Sequence, residues 1–326
     1  MRTDRFGLIA CIAGFFSLAL LSAGGAAAQY PQRSIRVIVP TTAGGAADLM
    51  LRQLAQKMSE SMKTAVVVEN KPGGGNIVGS ELVAKSAADG YTLLLTYTDH
   101  VFNPFLHAAM PYDTVKDFAP VSHIGSVPLL VVANPDVPVH TVRELIALAK
   151  AKPGQLNFAS AGSGTSLHLA GELFKSMAKI DVIHVPYKGS APGFVDLLGG
   201  RVQFMFPTSV SVWSYVQSGK LRAIAIASAQ RAANLPDIPT VAESGLPGYE
   251  ASIWYGMLAP AGTGKEIIAR LNAEVHKALA APDVRAKLTE QGFTIAAGTP
   301  EEFGTKIAAE LDRWGKLIRE ANIRIE

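Results

Sequence analysis

Two strand-to-helix junctions in the sequence combine small residues with hydroxyl groups, and either junction could bind an anion. The first reads V-I-V-P-T-T-A-G-G-A-A-D-L over 37–49, and the second reads N-F-A-S-A-G-S-G-T-S-L-H-L over 157–169. Small residues let the backbone approach a ligand closely, while the free amides and the dipole of a helix N-terminus favour negative charge. One such loop is a weak signal, but two of them could hold opposite ends of a small dianion.

The candidate ligand-binding residues are the amides, hydroxyls and charged groups of these junctions. We expect Asp48 to organise the first loop by accepting hydrogen bonds from its amides, because acidic side chains favour the first turn of a helix. Lys188, which follows a short apolar strand, could neutralise a carboxylate or lie in solvent. The candidates are Ala43, Gly44, Gly45, Asp48, Ser160, Ala161, Gly162, Ser163, Thr165, His168, Tyr187 and Lys188.

Signatures of catalytic loops fail at single positions of the second junction. The G-x-G-x-x-G dinucleotide pattern has Leu167 in place of its third glycine, and the G-x-S-x-G nucleophile elbow has Ala161 in place of its first. A secreted serine hydrolase that pairs Ser163 or Ser166 with His168 is an alternative that stays open. Serines that cap a helix, with a histidine packed at the domain edge, are the ordinary structural interpretation of the same residues.

The composition and the N-terminus exclude several classes of function. An apolar run followed by small residues up to Ala28 predicts a secretory signal peptide over 1–28, and therefore export to an oxidising compartment without stable membrane insertion. The single cysteine, Cys11, lies in that segment, so the mature chain has neither a disulfide nor a thiol nucleophile. The formal net charge of +3 at pH 7, without basic runs, argues against a nucleic-acid partner. No metal-ligand spacing is visible, and no cofactor is expected.

Short apolar runs rich in β-branched residues alternate with helical patterns along the chain. Capping boxes, in which a threonine precedes a glutamate by three residues, predict helix starts at Thr141, Thr240 and Thr299. The alternation predicts an α/β fold with mostly parallel sheets. The length of 326 residues favours two domains. We expect residues 29–127 and 238–326 to form lobe I, and residues 128–237 to form lobe II.

Several short motifs, taken together, resemble one known family. They are A-G-G-x-x-D at 43–48, N-K-P-G-G-G-N at 70–76, D-G-Y-T-L-L at 89–94, S-A-G-S-G-T with H-L-A-G-E-L-F at 160–174, V-P-Y-K-G at 185–189, and L-P-D-I-P-T-V-A-E-S-G-L-P-G-Y-E at 235–250. In this order, over essentially the whole mature chain, they resemble the Bug-type, TctC-like family of periplasmic substrate-binding receptors that serve tripartite tricarboxylate transporters. The combination is far more specific than any single loop.

The resemblance implies a two-lobed periplasmic-binding-protein type II fold. Each lobe would be a mixed, mostly parallel sheet flanked by helices, with the ligand cleft between the lobes. It implies hinge closure of the receptor on a small di- or tricarboxylate or an aromatic carboxylate, and delivery to a membrane permease rather than catalysis. Action as a monomer would suit such a diffusing receptor. The ligand-binding positions that the resemblance implies are the 43–48 loop and the 160–165 loop with His168. A ligand-sensing partner of a periplasmic signalling domain is a further alternative.

Two positions depart from the pattern of that family. Thr41 follows the first strand's proline, where the family often has an aromatic residue, and Pro207 precedes Thr208 where many relatives have an aspartate. Because Pro207 cannot engage an amine, an amino-acid ligand is not expected. The hydroxyls of Thr41, Thr42 and Thr208 would suit a polar or aromatic carboxylate.

Overall fold

A computed structural model describes residues 30–232, 234–320, 323 and 325 of the chain. The expected signal peptide, 1–28, lies outside the described residues. The described strands form two separate sheets. They are β1 (Ile35–Val39), β2 (Val66–Asn70), β3 (Thr92–Tyr97), β4 (Phe118–Pro128), β5 (Leu130–Ala133), β6 (Asn157–Ser160), β7 (Ile183–Pro186), β8 (Phe204–Met205), β9 (Arg222–Ile226), β10 (Ser252–Pro260) and β11 (Thr294–Ile295).

Helices connect most of these strands. They are α1 (Ala46–Met62), α2 (Ile77–Ala84), α3 (Asp99–Leu106), α4 (Val142–Ala151), α5 (Ser166–Ala178), α6 (Ser190–Leu198), α7 (Ser209–Gln217), α8 (Lys265–Ala280), α9 (Pro282–Glu290) and α10 (Pro300–Glu320), and a short 3₁₀ turn (Gly74–Asn76) precedes α2. None of the helices in the described ranges has the length and apolar character needed to cross a membrane.

The two sheets are both mixed. The six-stranded sheet has the order β11-β4-β10-β3-β1-β2, and the five-stranded sheet has the order β7-β6-β8-β5-β9. In the first, β1 is parallel to β2 and β3, while β10 is antiparallel to β3 and β4. In the second, β6 is parallel to β7 and β8, while β5 is antiparallel to β8 and β9. The α/β fold with two mixed sheets flanked by helices is therefore confirmed.

Helices flank the sheets because the central strands are apolar on both faces. Leu93 and Leu94 of β3 are both fully buried, although successive strand residues point to opposite faces. On α1, Met50, Leu54 and Met58 recur every four residues and are buried, so one stripe of this helix packs on the core. This packing fixes the directions of the helices. It therefore also sets the positions of the loops at the carboxyl ends of β1 and β6.

The chain passes twice between the two sheets. β4 belongs to the six-stranded sheet, and β5, which follows it directly, belongs to the other. On the return, Thr240 forms a bridge with Ile226, and the Tyr249 hydroxyl donates to the carbonyl of Ala170 in α5 at 2.9 Å. The segment from Thr240 to Tyr249 thus packs with the five-stranded sheet. We propose that lobe II extends through Tyr249, beyond the 128–237 range expected from the sequence.

All three capping boxes form, but only two of them start a helix. Helices follow directly at Thr141 and Thr299. At Thr240, the hydroxyl accepts from the amide of Glu243 at 3.1 Å and the Glu243 carboxylate accepts from the Thr240 amide at 2.7 Å, yet the next residues form turns. The helix start expected there is wrong, because Gly245 adopts φ 131°, which a helix does not contain.

Gly171 lies where α5 packs on β6, and a side chain at this position would collide with Phe158. A Cβ atom at Gly171 would lie 2.1 Å from Cε2 of Phe158. We expect Gly171→Ala to lower the melting temperature by several degrees, because overpacking a core costs about 1–3 kcal/mol. Gly264→Ala is the control, since a Cβ there meets no atom within 4 Å. Equal melting temperatures for the two variants would contradict this account of the packing.

Candidate functional site

The first candidate loop, which connects β1 to α1, is held by the carboxylate of Asp48. Oδ2 of Asp48 accepts from the Gly44 amide at 2.9 Å and from Nε of Arg52 at 3.0 Å. Oδ1 of Asp48 accepts from Nδ2 of Asn70 at 3.0 Å, and the same Nδ2 donates to the carbonyl of Thr41 at 3.1 Å. The loop is therefore bonded both to the helix that follows it and to the end of β2.

Asp48 stays ionised in this arrangement. Burial acts to raise its pKa, but hydrogen bonds from Arg52, from the Gly44 amide and from Asn70 together hold the pKa below its ordinary value. The residue is 2% exposed, so its carboxylate faces the loop amides and not the solvent. Its position matches the organising role that the sequence suggests.

The start of α1 has no capping side chain. Its N-cap residue is Gly45, and residues 42–45 are exposed, including Ala43. Gly44 adopts φ 83°, a conformation that suits glycine and lets the chain turn into the helix. Because the first amides of a helix have no acceptor within it, this end presents donors and partial positive charge to an anion.

The second candidate loop, which connects β6 to α5, is shaped by hydroxyl groups. The Ser160 hydroxyl, fully buried, donates to the Gly162 carbonyl and accepts from the Gly162 amide, each at 3.1 Å. The Thr165 hydroxyl donates to the Gly162 carbonyl at 2.7 Å and accepts from the His168 amide at 3.4 Å, which caps α5. Ser163 is exposed at the tip. The loop is thus built from its own polar groups, with one hydroxyl residue facing solvent.

Two histidines stack in the interior beneath this loop. The rings of His168 and His184 have centroids 3.9 Å apart and an interplanar angle of 22°. Nδ1 of His168 accepts from the Gly164 amide at 3.1 Å, and Nε2 of His184 lies 2.6 Å from the Ser160 hydroxyl oxygen. Burial, with a smaller effect of nearby positive charge, lowers the pKa of His168 to about 3 and that of His184 to about 4. Both rings are therefore neutral at pH 7 and support the loop.

A carboxylate from the first lobe occupies the start of α5. Oδ1 of Asp99 accepts from the Ser166 amide at 3.0 Å and from the Ser166 hydroxyl, and Oδ2 accepts from Nδ2 of Asn76 at 2.8 Å. Burial raises the pKa of Asp99 to about 6, although the bonds from Ser166 and Asn76 act to lower it. Nearby, a Cβ at Gly164 would lie 3.6 Å from Cδ1 of Leu106 in α3. The two lobes therefore meet at the start of α5.

The serine–histidine pairs of the hydrolase alternative are not assembled. The Ser166 hydroxyl donates to Asp99, and Nδ1 of His168 accepts from the Gly164 amide. Among the hydrogen bonds of the described residues, neither Ser163 nor Ser166 pairs with His168. This geometry does not support a hydrolytic site at the second loop.

Tyr187 and Lys188 lie beside the second loop, but the Tyr187 side chain bonds to α6. The Tyr187 hydroxyl donates to Oδ2 of Asp196 in α6 at 2.6 Å, and Lys188 is exposed. The backbone is closer to the loop, because the Ala161 carbonyl accepts from the Gly189 amide at 3.1 Å. The segment that contains these two residues is therefore bonded to the second loop by its backbone.

The three threonine candidates differ in their surroundings. Thr42 is exposed in the first loop, and the half-buried Thr41 donates from its hydroxyl to the Thr42 carbonyl at 3.4 Å. Thr208 is buried at the start of α7, where its hydroxyl donates to Oγ of Ser211 at 2.8 Å and its backbone bridges to Leu129. Thr208 thus lies at a crossing between the lobes, whereas Thr42 lies at the protein surface.

Three polar residues at the site are missing from the candidates predicted from the sequence. Asn70 bonds the first loop, while Asn76 and Asp99 bond each other beside the start of α5. Asn70 and Asn76 begin and end the N-K-P-G-G-G-N motif, one of the motifs that carry the family resemblance. Asp99 directly follows the T-Y-T end of an apolar strand, and an acidic residue in a first helical turn is the signal that points to it.

The comparisons with known proteins agree on one family. The family model described as tripartite tricarboxylate transporter family receptor matches residues 50–323. Protein BugT of Bordetella pertussis (strain Tohama I) is 39% identical over 321 residues, and the match covers 98% of each chain.

Two solved structures show the same fold at similar levels of identity. A protein of R. palustris, determined with adipate, is 34% identical with a TM-score of 0.85, and the match covers 91% of this chain and 100% of that one. MatC of Rhodopseudomonas palustris, with bound malate, is 31% identical with a TM-score of 0.81, and the match covers 89% of this chain and 100% of that one. Each is similar to this chain over nearly its whole length.

The fold, with two lobes that meet at loops following parallel strands, defines a periplasmic binding protein of the two-lobed class. More narrowly, the chain belongs to the family of tripartite tricarboxylate transporter receptors, because the family match covers most of its length. The resemblance drawn from the motifs is confirmed. That family is one of binding proteins.

Asp99 should make the stability of the protein depend on pH. Its pKa of about 6 in the folded protein lies above the roughly 3.9 of an unfolded aspartate. Between these values the folded state binds more protons, so this contribution is present at low pH and is lost as pH rises through about 6. Relative to Asp99→Asn, which cannot titrate, the wild type should lose about 2–3 kcal/mol of unfolding free energy from about pH 4 to about pH 7.5.

Urea unfolding of both proteins across this range measures the effect. The buried histidines titrate in both proteins, so their effect cancels in the difference. A difference in unfolding free energy that does not change with pH would contradict the assignment.

Proposed function

We propose that this protein is a periplasmic receptor that captures a small carboxylate between its lobes and delivers it to a membrane permease. The observation that carries the proposal is the start of α1, which has no capping side chain and whose 42–45 loop is exposed. Its amides and helix dipole suit a carboxylate. The exposed Ser163 and the backbone of the second loop would contact the ligand from the other lobe.

Two related structures support a carboxylate as the ligand class. The R. palustris protein was determined with adipate, and MatC was determined with malate. Both molecules are small carboxylates, and both proteins exceed 30% identity to this chain over most of its length. Binding mainly by backbone amides also agrees with a site whose candidate residues include many glycines and alanines.

Capture would proceed by closure about the crossings between the lobes. The carbonyl of Leu129 accepts from the Ala227 amide at 2.8 Å, and the carbonyl of Ala227 accepts from the Ala251 amide at 2.7 Å. These bonds place the connecting segments side by side, as a hinge requires. Contacts from both lobes exist fully only in the closed form, so a ligand shifts the population toward it.

Location and delivery are further parts of the proposal. We propose that the mature protein acts as a monomer in the periplasm, after removal of residues 1–28, and presents its closed form to a permease of a tripartite tricarboxylate transporter. Membership of this receptor family supports the periplasmic location and the delivery to a permease. A pull-down from membranes, with and without ligand, separates this role from binding to a signalling protein, because the captured protein is a permease subunit in one case and a sensor in the other.

A thermal-shift panel on the mature protein tests the ligand class. The panel contains citrate, malate, adipate, hexanoate, phthalate, benzoate and nicotinate, and each acid is compared with its uncharged amide. A ligand at about 100 times its Kd should add roughly 2.7 kcal/mol of stability, which is a shift of a few degrees in melting temperature. If no acid stabilises the protein more than its amide does, the proposal is wrong.

Replacement of a single amide donor tests the start of α1. Ala46 is the first residue of the helix, where proline is compatible with the backbone and removes only the N–H group. We expect Ala46→Pro to weaken carboxylate binding about 10- to 100-fold, since a hydrogen bond to a charged group is worth about 1.5–3 kcal/mol. The melting temperature without ligand should change little.

Lys265→Pro is the matched control for this variant. Lys265 is the exposed first residue of α8, and it follows Gly264 in an extended conformation, as Ala46 follows Gly45. This variant should bind carboxylates like the wild type. Equal affinities for Ala46→Pro and Lys265→Pro, by calorimetric titration, would rule out the start of α1 as the carboxylate site.

A further inference from the structure

The starts of α1 and α5 carry different charges. At the start of α1, Asp48 pairs with Arg52 at 3.0 Å, so the pair adds no net charge to the helix dipole. At the start of α5, Asp99 brings a full negative charge to a dipole end equivalent to about half a positive charge. The first helix start attracts an anion, whereas the second already has one.

Asp99 lies beside the loop that leads to α1. It follows β3, which is the neighbour of β1 in the sheet, and it is 4% exposed. With Asn76 and Pro40, the residue just before the first loop, it lines a cavity of about 10 Å³, enough for about one water molecule. The carboxylate thus contacts the start of α5 and shares a cavity with the residue that precedes the first loop.

The groups around Asp99 are polar but uncharged. Its hydrogen bonds come from Ser166 and Asn76. The Tyr97 hydroxyl and Oδ1 of Asn103 line the same cavity, and both atoms are buried without a hydrogen-bond partner among the described residues. A second ligand carboxylate brought to this place would meet a like charge in a medium of low dielectric, and the groups that neighbour Asp99 do not offset it.

We propose that Asp99 determines ligand specificity, and that it makes this receptor prefer a ligand with one carboxylate over a ligand of the same skeleton with two. This inference rests on the proposed function, because it takes the start of α1 as the carboxylate site. The end of the ligand that faces α5 is then neutral. A hydroxyl group at that end can donate to Oδ1 of Asn103, and a hydroxyl or carbonyl oxygen there can accept from the Tyr97 hydroxyl, directly or through a water molecule.

Matched pairs of acids test this preference by calorimetric titration of the mature protein near neutral pH. Hexanoate with adipate, butanoate with succinate, and benzoate with phthalate share a carbon skeleton and differ in one carboxylate. Asp99→Asn removes the charge and keeps an oxygen that accepts from Ser166. Asp89→Asn is the control, because Asp89 forms a surface ion pair with Arg33 at 2.8 Å, and its replacement removes an equal charge elsewhere.

Near pH 7 we expect the wild type and Asp89→Asn to bind the monocarboxylate of a pair about tenfold more tightly than the dicarboxylate, because a dicarboxylate must either meet the Asp99 charge or protonate Asp99, whose pKa is about 6. Asp99→Asn should reduce this ratio at least about tenfold, mainly by tighter binding of the dicarboxylate. A wild type that prefers the dicarboxylate overturns the inference. An Asp99→Asn protein that weakens both acids equally also overturns it, since a purely structural contact between lobes has that effect.

These results are distinguishable from failure of the proposed function. If the proposed function is wrong, neither acid of any pair binds to the wild type, and the thermal-shift panel shows no difference between acids and amides. If acids bind and Ala46→Pro weakens them while the ratio does not respond to Asp99, only the inference about specificity is wrong.

Discussion

The amides at the start of a helix need hydrogen-bond acceptors, and this requirement is met in opposite ways at α1 and α5. At α5 the acceptors come from the protein itself, namely Thr165, the His168 ring and Asp99. At α1 the Asp48 carboxylate fixes the preceding loop, and the N-cap residue has no side chain that could serve as an acceptor. The first lobe therefore offers a rigid set of donors, and a ligand would complete it without having to order the loop.

The polar site depends on apolar packing beneath it. The second loop is shaped by hydrogen bonds of Ser160, whose position depends on the position of β6. In turn, α5 can pack close to β6 because Gly171 has no side chain. The stacked, neutral histidines join α5, which carries His168, to β7, which carries His184. In each lobe, an apolar core sets the position of a strand end and a helix start, and the few polar residues then adjust the backbone between them.

Much of this organisation could be predicted from the sequence, because it is local. The helix starts at Thr141 and Thr299 and the role of Asp48 in the first loop all follow from spacings of a few residues. The contact of Asp99 with Ser166 joins residues 67 positions apart in different lobes, and a short pattern does not report such a pair.

The antiparallel direction of β10 and the turn after Thr240 also could not be predicted from local sequence patterns. An apolar run does not show its own direction in a sheet, so the insertion of β10 between β3 and β4 depends on the rest of the fold. At Thr240, the capping bonds form as the local pattern predicts, but the chain must return to the other lobe, and this path requires turns in place of a helix.

The bond from the Tyr249 hydroxyl to the Ala170 carbonyl connects the interior of α5 to a segment outside the candidate ligand loops. The same segment bridges to β9 through Thr240 and continues through Ala251 into β10, which lies in the other sheet. If α5 rotates with its lobe, the exposed residues Glu243, Pro247 and Gly248 rotate as well, while β10 stays with the six-stranded sheet. The surface around these residues would then have a different shape in the open and closed forms. A partner could distinguish the two forms there without contacting the ligand cleft.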